Sequence, residues 1–175
     1  MPVDASNLSI HRLDSNDAVA VSRWEAFVAA APGATFFHRA PWQPIIRDVF
    51  GHRTWFLYAE RDGQIEGVLP LAQIDSRLFG NSLVALPFAV YGGVVANSED
   101  AAAALEAEAE RIAQERGVEH LEFRNIAARH PDWPRQDLYV TFRKEILPDE
   151  EANMLAIPRK QRAMVRKSFK HGLRS

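Results

Sequence analysis

The strongest constraint on the fold is the segment Arg61-Asp62-Gly63, which lies between two apolar runs at residues 54–60 and 64–74. An Asp-Gly pair between such runs is typical of a tight hairpin turn, because the favoured turn needs positive φ at its central residues. The pattern therefore predicts a β-hairpin with Gly63 in its turn. A sheet built around this hairpin is the starting point for placing the other segments.

Helix and strand signals alternate along the rest of the chain. Further strands are predicted at residues 8–13, 83–86, 93–96, 118–125 and 138–146. Helices are predicted at residues 19–30, 42–50 and 158–171, and from the N-cap Ser98 to Gly117. This order predicts an α/β fold, in which a mixed sheet carries helices on both faces. A Rossmann domain is disfavoured, because strict alternation and an early glycine-rich turn are both missing.

The helix at residues 42–50 has the most regular apolar spacing. Its apolar residues recur at i, i+3, i+4, i+7 and i+8: Trp42, Ile45, Ile46, Val49 and Phe50. This spacing predicts an amphipathic helix with one buried face. Pro41 suits the first turn of this helix, and Gly51 is its predicted C-cap.

Composition limits both the chemistry and the compartment. The chain has 175 residues, of which 47% are hydrophobic, and this is enough for one domain with a core. It has no cysteine, which excludes disulfides, a thiolate nucleophile and a cysteine-based metal site. The N-terminus lacks the regions of a signal peptide, and no apolar run approaches the roughly 18 residues of a membrane span. These features predict a soluble, cytoplasmic protein, and neither a metal nor a cofactor is predicted.

The net charge of −2 hides an asymmetry along the chain. Residues 158–175 contain no acid and seven basic side chains: Arg159, Lys160, Arg162, Arg166, Lys167, Lys170 and Arg174. The rest of the chain holds the other 14 of 21 basic residues against 23 acids. On a helix the cations of this segment cluster beside a narrow apolar stripe of Val165, Phe169 and Leu173. An anion site is predicted here, with a solvated helix face or a partner surface as alternatives.

The sequence LPFAVYGG at residues 86–93 is a candidate ligand loop. Gly92 and Gly93 permit close approach of a ligand to the backbone, because neither has a side chain. Tyr91 adds a hydroxyl donor beside them. An equally supported alternative is a bulge or tight turn around a core aromatic residue.

Two histidines are weighed as reactive groups. His38 precedes the second helix and can act as an acid, a base or a phosphate contact near neutral pH. A structural role, in which His38 caps the helix or binds a loop carbonyl, is favoured. His130 and Asp132, two residues apart in a proline-bounded loop, are not predicted to form a catalytic pair. No nucleophile elbow, zinc-ligand spacing, Walker loop or EF-hand loop is found, so the catalytic residues are unknown.

The sequence RLFGNS at residues 77–82 approaches the R-x-x-G-x-G/A pattern that cradles the pyrophosphate of acetyl-CoA. That chemistry needs free backbone N–H groups at the start of a helix. The residues that follow are apolar and β-branched and end at Pro87, which is a poor helix start. We therefore predict a turn between two strands here and no acetyl-CoA binding.

Seven short motifs in order resemble the FemAB-like proteins associated with the exosortase/PEP-CTERM system. They are FFHRAPW at 36–42, FGHR at 50–53, GVLPL at 67–71, SRLFGNSL at 76–83, LPFAVYGG at 86–93, HPDW at 130–133 and IPRKQRAMVRK at 157–167. The resemblance extends from about Phe36 to Leu173. Each motif alone is weak, and their common order makes the resemblance specific.

The resemblance implies a GNAT-like domain at residues 1–157, with the basic helix at 158–175 leading into a second GNAT-like domain that this sequence lacks. Fem-type enzymes transfer an amino acid from aminoacyl-tRNA to the stem peptide of a peptidoglycan precursor. The exosortase-associated branch resembles them but is tied to exopolysaccharide and surface-protein export. Activity is therefore expected only when a second domain completes the site.

The leading hypothesis is the N-terminal half of an aminoacyl or acyl N-acyltransferase, in which an amine attacks an activated carbonyl. The residues predicted to bind substrate are Trp42, Tyr91, Gly92 and Gly93. Those predicted to bind phosphate are Arg159, Lys160, Arg162, Arg166 and Lys167. The expected partners are an aminoacyl-tRNA or other acyl donor, a phosphate-bearing envelope precursor, and a second domain or second copy. The alternative is a non-catalytic module that recognises a phosphate-bearing carrier, tRNA or protein through the basic helix.

Overall fold

The computed structural model describes residues 7–76, 78, 80–136 and 140–172. Internal contacts divide the chain into two compact units, which meet in the sequence between Trp133 and Pro134. The predicted division after residue 157, into a GNAT-like domain and a leading helix, stays a prediction.

The first unit is built on a mixed sheet, as predicted. Its six strands are β1 (Ser9–Arg12), β2 (Arg53–Arg61), β3 (Gln64–Ser76), β4 (Gly80–Ala85), β5 (Val95–Ala96) and β6 (His120–Glu122). The strand order is β1-β2-β3-β4-β6, and β5 pairs with β3 outside that order. All pairs are antiparallel except β4 with β6, which are parallel. A parallel pair needs a long crossover, and helix α3 (Glu99–Arg116) lies in that connection.

The predicted hairpin is confirmed. Strands β2 and β3 pair from Arg53 with Gln73 to Arg61 with Gln64. Asp62 and Gly63 form the turn with φ values of 49° and 76°. Positive φ at both positions is what the tightest right-twisting hairpin turn requires, which explains the Asp-Gly pair.

Helices cover both faces of the sheet. Neighbouring strand residues point to opposite faces, so Phe56 belongs to one core and Leu57 to the other. Helix α1 (Ala18–Ala30) contributes three buried side chains to the first core: Trp24, Phe27 and Val28. Helix α3 contributes to the second core an apolar face that includes Leu105, Ala109 and Ile112.

The helix predicted at residues 42–50 is helical but not regular. It begins as a short α-helix, α2 (Trp42–Pro44), and continues as a π-helix, Ile45–Val49. Of the predicted apolar face, Ile46 is buried, whereas Val49 is 72% exposed. The amphipathic prediction was wrong there, because the wider π turn rotates the later residues away from the positions that a 3.6-residue period gives them.

The second unit, residues 134–172, contains helices α4 (Glu150–Leu155) and α5 (Arg159–Lys170). Helix α5 confirms the predicted tail helix, whereas Leu173 and Arg174 lie outside the described residues. The strand predicted at 138–146 was wrong over residues 140–146, which have no regular structure; residues 138 and 139 are not described. No strand in the part of the chain that the structure describes pairs with the alternating apolar residues there. None of the helices in the described ranges is long and apolar enough to cross a bilayer.

Candidate functional site

The loop between β4 and β5 leaves and rejoins the same edge of β3. Leu86 ends the first contact by donating its N–H to the Pro70 carbonyl at 3.0 Å, and Val95 resumes pairing opposite Val68. Inside the loop, Leu86 and Phe88 adopt positive φ values of 50° and 67°. Bulky residues rarely adopt this conformation, because Cβ crowds the backbone. The loop is therefore held in a strained shape, which is typical of binding and catalytic segments.

Gly92 and Gly93 accept close approach of other residues of the protein itself, whereas the sequence analysis predicted close approach of a ligand. Both glycine N–H groups donate to the Arg124 carbonyl, at 3.3 and 3.2 Å. A Cβ on Gly92 would lie 2.5 Å from the Leu86 Cβ. A Cβ on Gly93 would overlap the Asn125 side chain and lie 2.8 Å from the Asn125 Cα. Close intramolecular packing alone thus explains both glycines, and their role in substrate binding stays a prediction.

His38 ties this loop to the segment before α2. It is buried, its Nδ1 accepts the Thr35 backbone N–H at 3.0 Å, and its Nε2 lies 2.9 Å from the Gly93 carbonyl. Because Nδ1 is an acceptor, Nε2 carries the proton and donates it to that carbonyl. Burial lowers the pKa of His38, and hydrogen bonds to the Gly93 and Thr35 backbones oppose the shift. The structural role favoured by the sequence is confirmed, since both ring nitrogens have partners.

Trp42 lies in an aromatic cluster close in sequence to His38. Its indole N–H donates to the Phe36 carbonyl at 3.2 Å, and its ring centroid is 5.8 Å from Phe36 and 6.0 Å from Phe37. Through His38 and Gly93, the segment that carries Trp42 is bonded to the loop that carries Tyr91. Both side chains are half-buried, which leaves each partly accessible. Their assignment to substrate binding stays a prediction.

The same loop presents an aromatic surface that the sequence analysis missed. The Phe88 ring stacks on Phe50 at 4.5 Å and on His52 at 5.8 Å between centroids. Phe88 is 56% exposed and Val90 is 53% exposed. The residues that form this surface come from two separate motifs, at residues 50–53 and 86–93. No short-range sequence pattern indicates that these motifs lie side by side.

A buried carboxylate lies outside this loop. Glu106 is held by Arg129 at 2.7 Å, and His130 Nε2 is 3.2 Å from it. The His130 ring also stacks on Trp133, with centroids 4.2 Å apart. Glu106 and Glu99 raise the pKa of Arg129, so the guanidinium stays charged and neutralises the carboxylate. His130 thus faces Glu106 in a structural cluster.

Elsewhere in this unit lies a groove with a volume of about 690 Å3, lined by β1, the start of β2 and the C-terminal half of α3. Its lining holds five arginines: Arg12, Arg47, Arg53, Arg111 and Arg116. Sequence analysis missed this groove, because its arginines come from four separate segments. Among the described residues, no group of three His, Cys, Asp or Glu is placed to hold a metal ion.

The predicted phosphate-binding residues lie on α5, which has no buried residue. Arg162 donates to the carbonyls of Leu155 and Ile157, at 2.9 and 3.0 Å, and so braces the turn between α4 and α5. The other four are exposed: Arg159, Lys160, Arg166 and Lys167. Their role in binding phosphate stays a prediction.

The segment at residues 77–82 joins two strands, as predicted. Ser76 ends β3 and pairs with Gly80, which begins β4, so a strand rather than a helix follows the motif. Gly80 has a positive φ of 81°. Arg77 and Phe79 lie outside the described residues, and the absence of acetyl-CoA binding stays a prediction.

Comparisons with known proteins were made by sequence and by structure. No family model matches the chain, and no curated protein matches its sequence. A solved GNAT family acetyltransferase from Staphylococcus aureus subsp. aureus USA300_TCH1516 aligns with 80% of this chain and 99% of its own, with a TM-score of 0.50 and 10% identity. At that identity the likeness shows the fold alone, and the chain has a GNAT-like mixed sheet with flanking helices.

Two further solved structures align at lower scores. FemX covers 63% of this chain at 17% identity, with a TM-score of 0.46, and only 25% of the FemX chain is matched. A ribosomal-protein-alanine N-acetyltransferase from Brucella melitensis biovar Abortus 2308 covers 78% of this chain and 99% of its own, at 19% identity and a TM-score of 0.47.

Proposed function

We propose that this GNAT-like chain is the N-terminal domain of a FemAB-like aminoacyl or acyl N-acyltransferase that is inactive alone. The observation that carries the proposal is the strained loop at residues 86–94 within a GNAT-like fold. Leu86 and Phe88 are held at positive φ, and Tyr91 lies in the same loop. Strain of this kind persists where a fixed backbone shape serves binding. The ordered motifs of the sequence also support the FemAB-like branch.

The chemistry would be amine attack on an activated carbonyl. A C–N bond forms and the ester or thioester bond of the donor breaks. The amine loses a proton, and the departing oxygen or sulfur of the donor takes one up and leaves as an alcohol or thiol. The described domain contributes positioning through Tyr91 and Trp42. Its two buried candidates for a general base already have partners within the protein. Both ring nitrogens of His38 form hydrogen bonds, and the Glu106 carboxylate forms an ion pair with Arg129. We therefore assign completion of the catalytic site to a second domain.

The proposed setting is the cytoplasmic side of cell-envelope or exopolysaccharide biogenesis. The acceptor would be a phosphate-bearing envelope precursor and the donor an aminoacyl-tRNA or another acyl carrier. The basic side chains of α5 suit both molecules, because each carries phosphates. The link to exosortase systems rests on the motif resemblance.

The test is single-turnover transfer of a labelled amino acid from aminoacyl-tRNA to amine acceptors. The chain alone should give negligible product, and the chain joined to whatever reading frame follows residue 175 should give transfer. In the joined protein, Trp42→Phe and Tyr91→Phe should lower the rate, whereas Trp133→Phe serves as a control. Repeated turnover by the chain alone would contradict the half-enzyme proposal. Absence of transfer by a joined, folded protein would contradict acyl transfer itself.

The second candidate is a non-catalytic binding module, and the charge of α5 favours it. Within Arg159–Lys170 there are six basic residues and no acid. If the chain is such a binding module, the double variant Arg166→Gln with Lys167→Gln should weaken binding of tRNA or a phosphate-bearing carrier. The affinity of this variant should also depend less steeply on salt concentration. Tyr91→Phe should leave that binding unchanged. Loss of binding in Tyr91→Phe instead favours the enzyme domain.

A further inference from the structure

The arginine-lined groove of the first unit carries positive charge that its own carboxylates do not balance. Its two acidic residues are Glu108 and Glu115, and both bind Arg111, at 2.8 and 2.9 Å. Arg47 is paired with Asp48 at 2.6 Å. The other three arginines of the lining have no carboxylate partner among the described residues: Arg12, Arg53 and Arg116.

Two of these guanidinium groups lie against the Trp55 ring. The guanidinium carbons of Arg12 and Arg116 lie 5.2 and 5.6 Å from the centroid of its ring. Arg53 and Trp55 are two residues apart on β2, so they share one face of the sheet, and Arg53 lines the same groove. One aromatic side chain thus contacts cations contributed by β1 and α3, in a groove that β2 lines with a third.

Neutral groups hold two of these arginines in place without cancelling their charge. Arg12 donates to the Thr54 carbonyl, and Arg116 Nε lies 3.4 Å from Gln73 Oε1. Burial among protein atoms lowers the pKa of Arg12, which is the direction expected for a cation that lacks an ionic partner. The Arg53 side chain is exposed and forms no hydrogen bond or ion pair with the described residues. The groove is therefore pre-organised and incompletely neutralised.

We propose that this groove binds a compact small molecule bearing a phosphate or diphosphate group. Guanidinium groups bind phosphate oxygens in a bidentate manner, and three without a carboxylate partner line this groove, two of them against the Trp55 ring. The volume of about 690 Å3 falls in the range of small-molecule sites. Glu108 and Glu115 line the α3 side of the same groove, so an extended polyanion such as RNA would be repelled along part of its length. The site uses none of the residues assigned to acyl transfer and stands independently of that function.

The test is isothermal titration of the full chain with inorganic pyrophosphate at low salt. Arg53→Gln combined with Arg116→Gln should weaken binding about tenfold or more, because each removes a charged donor. The matched control is Arg143→Gln combined with Lys144→Gln, two exposed side chains outside the groove, which removes the same charge and should leave the affinity unchanged. Thermal melting checks that both variants fold. Binding should also change Trp55 fluorescence, and Trp55→Phe should remove that signal.

Any one of three results would overturn the proposal. The first is that pyrophosphate fails to bind the wild-type chain, and the second is that the control pair weakens binding as much as the groove pair. The third such result is a short single-stranded RNA that binds through the groove arginines more tightly than pyrophosphate.

A parallel titration with a nucleoside diphosphate identifies the source of the phosphate. If it binds more tightly than pyrophosphate, and the groove pair abolishes the difference, the ligand is nucleotide-like. Equal affinities point to a ligand recognised by its phosphates alone.

Discussion

Residues 7–133 and residues 140–172 both carry large apolar side chains, but the two regions bury them very differently. The first region has two cores, one on each face of the sheet. None of the residues described in 140–172 is buried. Phe142 is 92% exposed and Phe169 is 63% exposed. The difference shows that apolar residues stabilise a fold only where topology supplies a second surface to cover them.

The two regions should therefore differ most in how they respond to loss of an apolar side chain. Leu69→Ala removes a fully buried side chain and should lower the free energy of unfolding by about 2–5 kcal/mol. The counterpart Phe169→Ala on α5 should change it by less than about 0.5 kcal/mol. Urea denaturation followed by tryptophan fluorescence measures both, since all four tryptophans precede residue 134. Similar losses in the two variants would show that α5 belongs to a cooperative core.

Within the first region, the tight contact at Gly93 should be the next most sensitive feature. Gly93→Ala places a methyl group against the Asn125 backbone and should cost about 1–3 kcal/mol. Gly33→Ala is the matched control, because the nearest atom to its new Cβ is a Val95 methyl at 3.8 Å. Thermal melting of the two variants provides the measurement. A harmless Gly93→Ala would show that Arg124 and Asn125 move aside readily.

His38 predicts a smaller, pH-dependent effect. Its folded-state pKa is lowered by burial, so below about pH 6.5 the unfolded chain binds a proton that the folded chain does not. Stability should therefore fall as the pH drops below about 6.5, by at most about 1.4 kcal/mol per unit. Denaturation of wild type and His38→Asn between pH 5 and 8 isolates this contribution, with the exposed His120→Asn as control. A pH-independent difference between wild type and His38→Asn would contradict it.

The smallest free energy is expected for opening of α5. Its amides should exchange with little protection, corresponding to an opening free energy of about 0–1 kcal/mol, because no residue of the helix is buried. Amides of α1 should be far slower, since Trp24 anchors that helix in a core. Hydrogen exchange read by mass spectrometry compares the two helices in one sample. Slow exchange across Arg159–Lys170 would place α5 among ordinary packed elements.

The structural features that were best predicted from the sequence are those determined by residues close together in the chain. The turn at Asp62 and Gly63 and the end of α3 at Gly117, which has φ 59°, both follow from local backbone preferences. The π-helix at Ile45–Val49 was not predictable from apolar spacing, because that spacing assumes a constant 3.6-residue turn. The strand prediction was wrong over residues 140–146, because alternation of apolar residues cannot supply a pairing partner.

The candidate sites show the same limit. The candidate loop at residues 86–93 was identified from sequence because its two glycines and one tyrosine are adjacent. The Arg124 carbonyl, which accepts hydrogen bonds from both glycine N–H groups, lies more than 30 residues away in sequence. No local pattern indicates this partner. The arginine groove was missed for the same reason, since Arg12, Arg53 and Arg116 meet only after the sheet and α3 have assembled.

The parallel pairing of β4 with β6 has a consequence during synthesis of the chain. Strand β4 is complete at Ala85, but its neighbour β6 ends at Glu122, after the whole of α3. At about 5–20 residues per second, the ribosome needs several seconds to make that interval. Until then Ser82, Leu83 and Val84 present an open backbone edge. A nascent-chain chaperone should therefore meet β4 rather than the β2–β3 hairpin, whose two strands protect each other as soon as Ser76 emerges.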